Sequence, residues 1–375
     1  MNAQQPANGD LAHPSELLRL TARLSPGEDG EHFTFCRICE AFCGMRAEVK
    51  EGRIVALGPD RNNPHSQGHV CVKGTRFADI VNDKDRVLHP LRRDPASGSF
   101  EPVSWDSALD DIADRTAEIL RRDGPIALAN YIGNPAAFGM GATLAIRPFF
   151  RSLGVTKMFA AATQDATARM VASQIVYGSV LRLPIPDLTR CDFLIAIGAN
   201  MLVSHGSLLT APRIREDLDA IAKRGRVLVI DPRRTETATR YDHLFVRPDT
   251  DAWLLAAMLN VLFDLELADA ALLDERTSGW RKLQSSVSWV TPELAERYTG
   301  IVASTIVELT KEFAATERAA IYGRTGTCRG NHSTLVNVMI DALNIAAGKF
   351  AVAGGWVFGD AAIDMAAVRP GGFSI

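Results

Sequence analysis

Residues 191–234 read CDFLIAIGANMLVSHGSLLTAPRIREDLDAIAKRGRVLVIDPRR. Two short runs, LIAIG and VLVID, are continuously apolar rather than alternating, the pattern of parallel strands covered on both faces. A helical segment over 207–224 joins them, so the stretch is a βαβ unit. Each run ends in a loop, Gly198-Ala199-Asn200 after the first and Asp231-Pro232-Arg233 after the second. In an open α/β sheet, ligands bind at this carboxyl-terminal edge. Glycine lets a backbone approach closely, helix N-termini favour phosphate, and Asp231 can accept hydrogen bonds from a ribose or a guanine edge. Neither loop is G-x-G-x-x-G, which argues against an ordinary nicotinamide-dependent dehydrogenase, and either loop taken alone also reads as a plain turn.

The alternation continues on both sides. PIALANYI precedes a helix over 137–152, TKMFAA one over 165–177, RVLVIDP one over 251–265, and AAIYGR at 319–324 one over 333–347. Gly133-Asn134-Pro135 is a third loop of the same kind. The fold class expected is therefore α/β, with a doubly wound, Rossmann-like parallel sheet over 123–332. Ahead of it, VSWDSALDDIADRTAEILRRDG aligns Trp105, Leu109, Ile112, Ile119 and Leu120 along an amphipathic helix with Ser104 as its N-cap.

Across 375 residues, 47% hydrophobic and 23% charged content suits a folded globular chain and excludes a largely disordered or collagen-like one. The most apolar helix, WLLAAMLNVLFDL at 253–265, is too short to span a bilayer, so no membrane span is expected. Lys+Arg of 41 against Asp+Glu of 44 gives a net charge of -3, which advertises neither nucleic acid nor an anionic membrane. Residues 1–30 read as a flexible arm without an export pattern, and the location expected is cytoplasmic.

Four of the six cysteines fall at Cys36, Cys39, Cys43 and Cys71, the spacing C-x2-C-x3-C-x27-C. Three ligands come from one tight loop, and a hairpin turning at Glu51-Gly52, with Ala47, Val49, Ile54 and Ala56 on one face, returns the fourth. Each iron of a 4Fe-4S cubane takes one protein sulfur, and a crowded three-ligand loop suits it; zinc ribbons use two separate C-x-x-C knuckles, and the second is missing here. Structural zinc remains the alternative for this module, which covers 31–85. Lys73 follows the fourth cysteine, as a solvated lysine or as a cation that tunes the cluster.

The run FTFCRICEAFCGMRAEVKEGRIVALGPDRNNPHSQGHVCVKG resembles the amino-terminal cluster domain of the molybdopterin oxidoreductases, the dimethyl sulfoxide reductase family that includes formate dehydrogenases and periplasmic nitrate reductases. PDLTRCDFLIAIGANMLVSHGSLLTAP, VLVIDPRRTETAT and VRPDTDAWLLAAML resemble, in order and spacing, the family segments that cradle a molybdopterin guanine dinucleotide. The resemblance implies a 4Fe-4S cluster and a molybdenum or tungsten bis-molybdopterin guanine dinucleotide. It makes Lys73 an electron relay between them, and Gly198, Asn200, Ser204, Asp231, Arg233 and Asp251 the nucleotide contacts. It further implies that 86–122 and 333–375 are parts of a discontinuous, incomplete middle domain, and that a carboxy-terminal pterin-binding domain of the family is absent from these residues.

Family members usually donate one metal ligand from the loop that is FAAATQDATARMV here. It holds no Cys, Ser or His, so a thiolate with a neighbouring imidazole cannot come from it, which disfavours formate chemistry. Asp165 is then either a hard oxygen ligand or the N-cap of the helix over 165–177. Arg324 and Arg329, in GRTGTCRG, are candidates for contacting phosphate or an oxyanion; Cys191 and Cys328 read as core or loop thiols. The activity expected is two-electron oxidoreductase chemistry on a small-molecule substrate, with electrons passed to a redox partner protein or subunit. The alternative is a non-catalytic electron-transfer or assembly subunit that keeps only the cluster.

Overall fold

A computed structural model describes residues 28–360 apart from Asn134, Ala137 and Phe138. The expected amino-terminal arm and residues 361–375 lie outside the described residues, apart from the arm's last three. The chain divides into two compact units, Met1–Ile38 with Phe42–Asp111, and Cys39–Ala41 with Ile112–Ile375.

The first unit is built on an antiparallel sheet of β1 (Gly30–Phe35), β2 (Gly44–Lys50) and β3 (Arg53–Pro59). Glu51 and Gly52, with φ of 51° and 71°, form the hairpin turn, whose positive dihedrals match the strands' right-handed twist. The register steps between Glu48 and Val49: Val49 faces Ile54 while Glu48 faces Ala56, leaving Val55 as the extra residue of a bulge. That bulge corrects the expected apolar face, because Ala47 and Val49 are buried but Ala56 is exposed and Leu57 takes its place opposite Ala47. After the sheet comes a one-turn helix, α1 (Val72–Thr75).

Helix α2 (Trp105–Asp123) starts where the sequence predicts, with Ser104 Oγ accepting from the Ser107 N–H at 3.1 Å. The first half of its apolar stripe is exposed, at Trp105, Leu109 and Ile112, while Ile119 and Leu120 are half-buried.

In the second unit β4 (Asn130–Ile132) and β5 (Met158–Ala160) pair in parallel with one another, outside the main sheet. The sequence pattern instead places both in one doubly wound sheet. They are three residues long, Pro125–Ala127 is a 3-10 turn, and Tyr131 and Phe159 are exposed, so they lack the two-sided burial of a central strand. Next come α3 (Ala162–Asp165) and α4 (Thr167–Tyr177). The main sheet is assembled from β6 (Phe193–Ile197), α5 (Ile214–Arg224), β7 (Arg226–Ile230), β8 (Asp242–Leu244), α6 (Asp251–Asp264), β9 (Ala319–Gly323) and α7 (Ser333–Ala346).

Its strand order is β8-β7-β6-β9, with every pairing parallel. The chain therefore winds outward from β6 to β8 and then crosses to the other side of β6, which makes the β6/β9 boundary the topological switch point. Phe193, Ile195 and Ile197 face a core shared with α6 and α7, while Leu194 and Ala196 face a second core with Leu218 and Ile221 of α5. This two-sided burial is what the continuous apolar runs encode. Helix α7, assigned from the resemblance to a middle domain, places Val336, Met339, Ile340 and Leu343 in the first core, so the parallel-sheet unit extends past residue 332. Within the described residues, no helix is long and apolar enough to cross a membrane.

Candidate functional site

The cysteine loop is pinned by the Cys36 N–H, which donates to the Cys43 carbonyl at 2.9 Å. Cys36 and Cys43 are buried, Cys39 and Cys71 partly exposed, and none of the four is in a disulfide. Gly74, three residues after Cys71, packs so closely that a Cβ would stand 2.7 Å from Val70 Cγ2 and 3.6 Å from Cys36 Sγ. This is the local reason for glycine after Lys73, which is itself exposed on α1. Asn63 fixes the other wall: its Oδ1 accepts from the Ser66 N–H and hydroxyl, and Ser66 Oγ in turn accepts from the Gly44 N–H at 3.0 Å. Among the described residues no three His, Cys, Asp or Glu side chains stand together as a metal-binding group. Four cysteine thiols are nonetheless the donor set an iron-sulfur cluster requires, and metal binding and local closure of such loops are coupled.

In the second unit the loops after β6, β7 and β9 meet at the switch point. Gly198 has φ of +55°, and a Cβ on it would lie 2.7 Å from Gly326 Cα; one on Gly326 would lie 2.6 Å from Gly198 Cα. The two backbones touch there, joined by the Gly326 N–H donating to the Gly198 carbonyl at 3.0 Å. Asn200 reaches the β7 side: its Nδ2 donates to Glu236 at 2.7 Å and its Oδ1 accepts from the Thr237 hydroxyl at 2.9 Å. Glu236 also pairs with Arg233 at 3.3 Å, and Asp231 accepts from the Arg233 N–H at 2.8 Å. Ser204 closes the short helix Met201–Ser204, its N–H bonded to the Asn200 carbonyl at 3.1 Å.

Asp251, at the start of α6, has its carboxyl pushed up by burial, and the negative charges of Asp249 and Asp231 add to the rise. Asp249 is held by the Asn331 amide at 2.6 Å and the Asn331 N–H at 3.0 Å. Asn200, Asp231, Arg233 and Asp251 are therefore gathered at one sheet edge. Asp249, Glu236 and Asn331 join them and were missed from sequence; the strings PDTD, RTET and RGNH carried them, but polar residues beside turns and short helices give no signal until the sheet edge is known.

Asp165 ends α3 with its N–H bonded to the Ala161 carbonyl at 3.2 Å, and Ala166, not Asp165, is the cap position of α4. The helix-cap reading of Asp165 is thus replaced, because an extra helical turn precedes α4. Both α3 and α4 pack against the 3-10 turn Thr325–Cys328, which leads from the switch point. Behind that turn, Arg169 of α4 is buried against Asp341 of α7, at 2.7 and 2.9 Å, and Trp356 Nε1 also donates to Asp341 at 3.0 Å. Cys328 is buried nearby, and desolvation pushes its thiol up. Arg324, after β9, is only 6% exposed, and its Nε and Nη1 are buried without a hydrogen-bond partner among the described residues.

A parallel sheet that gathers ligand-competent loops at its switch point, in a chain that also carries a four-cysteine module, defines the class of cofactor-binding α/β proteins with an attached metal module. Family models named Molybdopterin oxidoreductase and Molybdopterin oxidoreductase Fe4S4 domain match residues 86–368 and 31–83, and the chain belongs to the molybdopterin oxidoreductase family. The family implies a 4Fe-4S cluster and a molybdenum or tungsten molybdopterin cofactor. Among curated relatives, the F420-dependent formate dehydrogenase subunit alpha of Methanocaldococcus jannaschii is 30% identical over 80% of this chain and 43% of its own length. The periplasmic nitrate reductase of Desulfovibrio desulfuricans is 31% identical over 62% of this chain and 30% of its own. Among solved structures, acetylene hydratase from Pelobacter acetylenicus aligns with a TM-score of 0.74 at 26% identity, covering 87% of this chain and 44% of that one. The chain thus spans less than half the length of these relatives.

Proposed function

We propose that this chain supplies the cluster-binding and dinucleotide-binding parts of a molybdopterin-dependent oxidoreductase. The observation that carries the reading is the convergence of Asn200, Asp231, Arg233 and Asp251 at the switch-point edge of the parallel sheet. When bound, the cofactor supplies two-electron exchange at molybdenum or tungsten and the cluster supplies single-electron steps.

The protein's part is to hold, orient and insulate. Cys36, Cys39, Cys43 and Cys71 would ligate the cluster as thiolates. Gly198 lets the backbone come close to the dinucleotide, while Asn200, Ser204 and Arg233 bind its polar groups. Asp231 and Asp251 would accept from N–H and hydroxyl groups of guanosine, and such donors would lower the raised Asp251 carboxyl. Asp165, on a turn packed against the loop after β9, would be the oxygen ligand if this chain donates one to the metal. Lys73 would stand beside the cluster as its cationic neighbour, and a redox protein or subunit would be the electron acceptor or donor.

The substrate is small, and the names of the relatives, among them formate dehydrogenase, nitrate reductase and thiosulfate reductase, span several chemistries. A dye-linked assay of anaerobically purified protein across formate, nitrate, selenate and N-oxides tests the reading. Asp165→Ala should abolish turnover while leaving iron content intact; equal turnover in wild type and variant would refute the assignment of Asp165.

A further inference from the structure

Two buried arginines lie around the turn after β9, and the fold treats them differently. Arg169 is neutralised inside the protein by Asp341. Arg324 is equally buried, forms no ion pair, and keeps Nε and Nη1 without a protein acceptor among the described residues. A buried guanidinium is costly unless its donors and its charge are matched. Its backbone is not free to swing the side chain outward: the Arg324 N–H donates to the Ile197 carbonyl, and its own carbonyl accepts from Thr327 N–H at 2.7 Å and Thr327 Oγ1 at 2.8 Å. The position adds a second argument. Arg324 follows the last residue of β9 beside Gly198 at the end of β6, the crevice where open α/β sheets bind ligands.

We propose that Arg324 is the fixed cation of this site, and that it receives an oxyanionic group at the β6/β9 switch point. The inference rests on the cofactor reading of that edge and deepens it by naming the chemistry the crevice selects. The two orphaned donors lie on different edges of the planar guanidinium, so a single acceptor atom cannot serve both. An oxyanion with paired oxygens can match one edge; the pyrophosphate of a bound dinucleotide, with oxygens on two phosphorus atoms, can reach towards both, whereas a small oxyanion substrate would satisfy one.

The test uses the full chain, produced without molybdopterin supply, and thermal melts at constant ionic strength with pyrophosphate, with nitrate and with chloride as control. Wild type should melt roughly 5 °C or more higher in one of the two oxyanions at about a hundredfold excess over its Kd. Pyrophosphate as the active probe assigns the nucleotide moiety, nitrate the substrate. Arg324→Gln should raise the melting point of the ligand-free chain, by removing a buried unmatched charge, and should lose the oxyanion increment. Arg324→Lys keeps the charge without the planar fork and should retain part of the increment. An increment unchanged in both variants, or absent from wild type, overturns the proposal. So does a ligand-free Arg324→Gln chain that melts lower, since the arginine would then be a packing residue. Guanine nucleotide released on acid denaturation of the protein made with cofactor supply reports separately. If it is absent while the Arg324-dependent increment persists, the dinucleotide reading fails and the anion site stands; nucleotide present without any increment gives the reverse.

Discussion

The contact between Gly198 and Gly326 is the narrowest point of the proposed site, and its removal has a computable cost. Gly326→Ala puts a methyl 2.6 Å from Gly198 Cα and 3.0 Å from Gly198 O, with backbone rather than a flexible side chain on the other side. The ends of β6 and β9 must part to accept it. Overpacking of this kind costs about 1–3 kcal/mol, and the lower entropy of the unfolded alanine chain returns about 0.4–1 kcal/mol. The net expectation is a destabilisation of about 1–2 kcal/mol. Gly198→Ala meets the same wall at 2.7 Å and in addition holds a positive φ of 55°. The left-handed conformation adds about 1–2 kcal/mol for a residue with a Cβ, bringing that variant to about 2–4 kcal/mol. The double variant should cost less than the sum, because the first methyl has already parted the loops. Urea unfolding followed by tryptophan fluorescence measures all three, and the amount of guanine nucleotide retained should fall in each. A Gly326→Ala chain with an unchanged urea midpoint, or strictly additive costs in the double variant, would show that the two loops do not constrain one another.

Further expectations concern groups elsewhere in the two units. Arg169→Met leaves Asp341 buried and unpaired and should cost about 3–5 kcal/mol, whereas Arg169→Met with Asp341→Leu should recover most of that loss; equal losses in the single and double variants would contradict a paired site. Because the Asp251 carboxyl titrates above its ordinary value when folded, the native state binds a proton the unfolded chain has released. Stability of the cofactor-free chain should therefore fall as pH rises from the ordinary carboxylate value through the raised one, and Asp251→Asn should be the more stable form at pH 7 and indistinguishable at pH 3. Burial pushes the Cys191 thiol up to about 12, so it should resist iodoacetamide at pH 8 until denaturant is added; rapid labelling of native protein at Cys191 would refute its placement.

The sequence was most informative where burial is two-sided. Continuous apolar runs announced β6, β7 and β9 with near-correct ends, since a strand buried on both faces has no polar position to blur it. The same logic failed for PIALANYI and TKMFAA, whose apolar character serves a short, partly exposed pair, and nothing local distinguishes the two cases. The bulge at Val55 was invisible for the reason that one inserted residue flips the face without altering composition. Among the candidate site residues, Asn200, Asp231 and Arg233 were legible as members of loops after apolar strands, whereas the nucleotide roles proposed for Asn200, Arg233 and Asp251 rest on the family resemblance. Asp249, Glu236 and Asn331 were not legible, since their roles come from partners 82 and 36 positions away. Arg324 was visible only as one of two arginines in a glycine-rich loop; its burial without a partner is a property of the folded chain alone.

On the proposed function, one chain holds both an iron-sulfur cluster and a molybdopterin guanine dinucleotide. Anaerobic purification followed by analysis for iron, acid-labile sulfide, molybdenum, tungsten, zinc and released guanine nucleotide tests it most directly. Iron and sulfide are expected in equal amounts together with molybdenum or tungsten and guanine nucleotide, with iron and colour lost in Cys39→Ser. Iron and sulfide alone would leave only an electron-transfer or assembly role, and a colourless protein containing zinc without sulfide would contradict the cluster assignment itself.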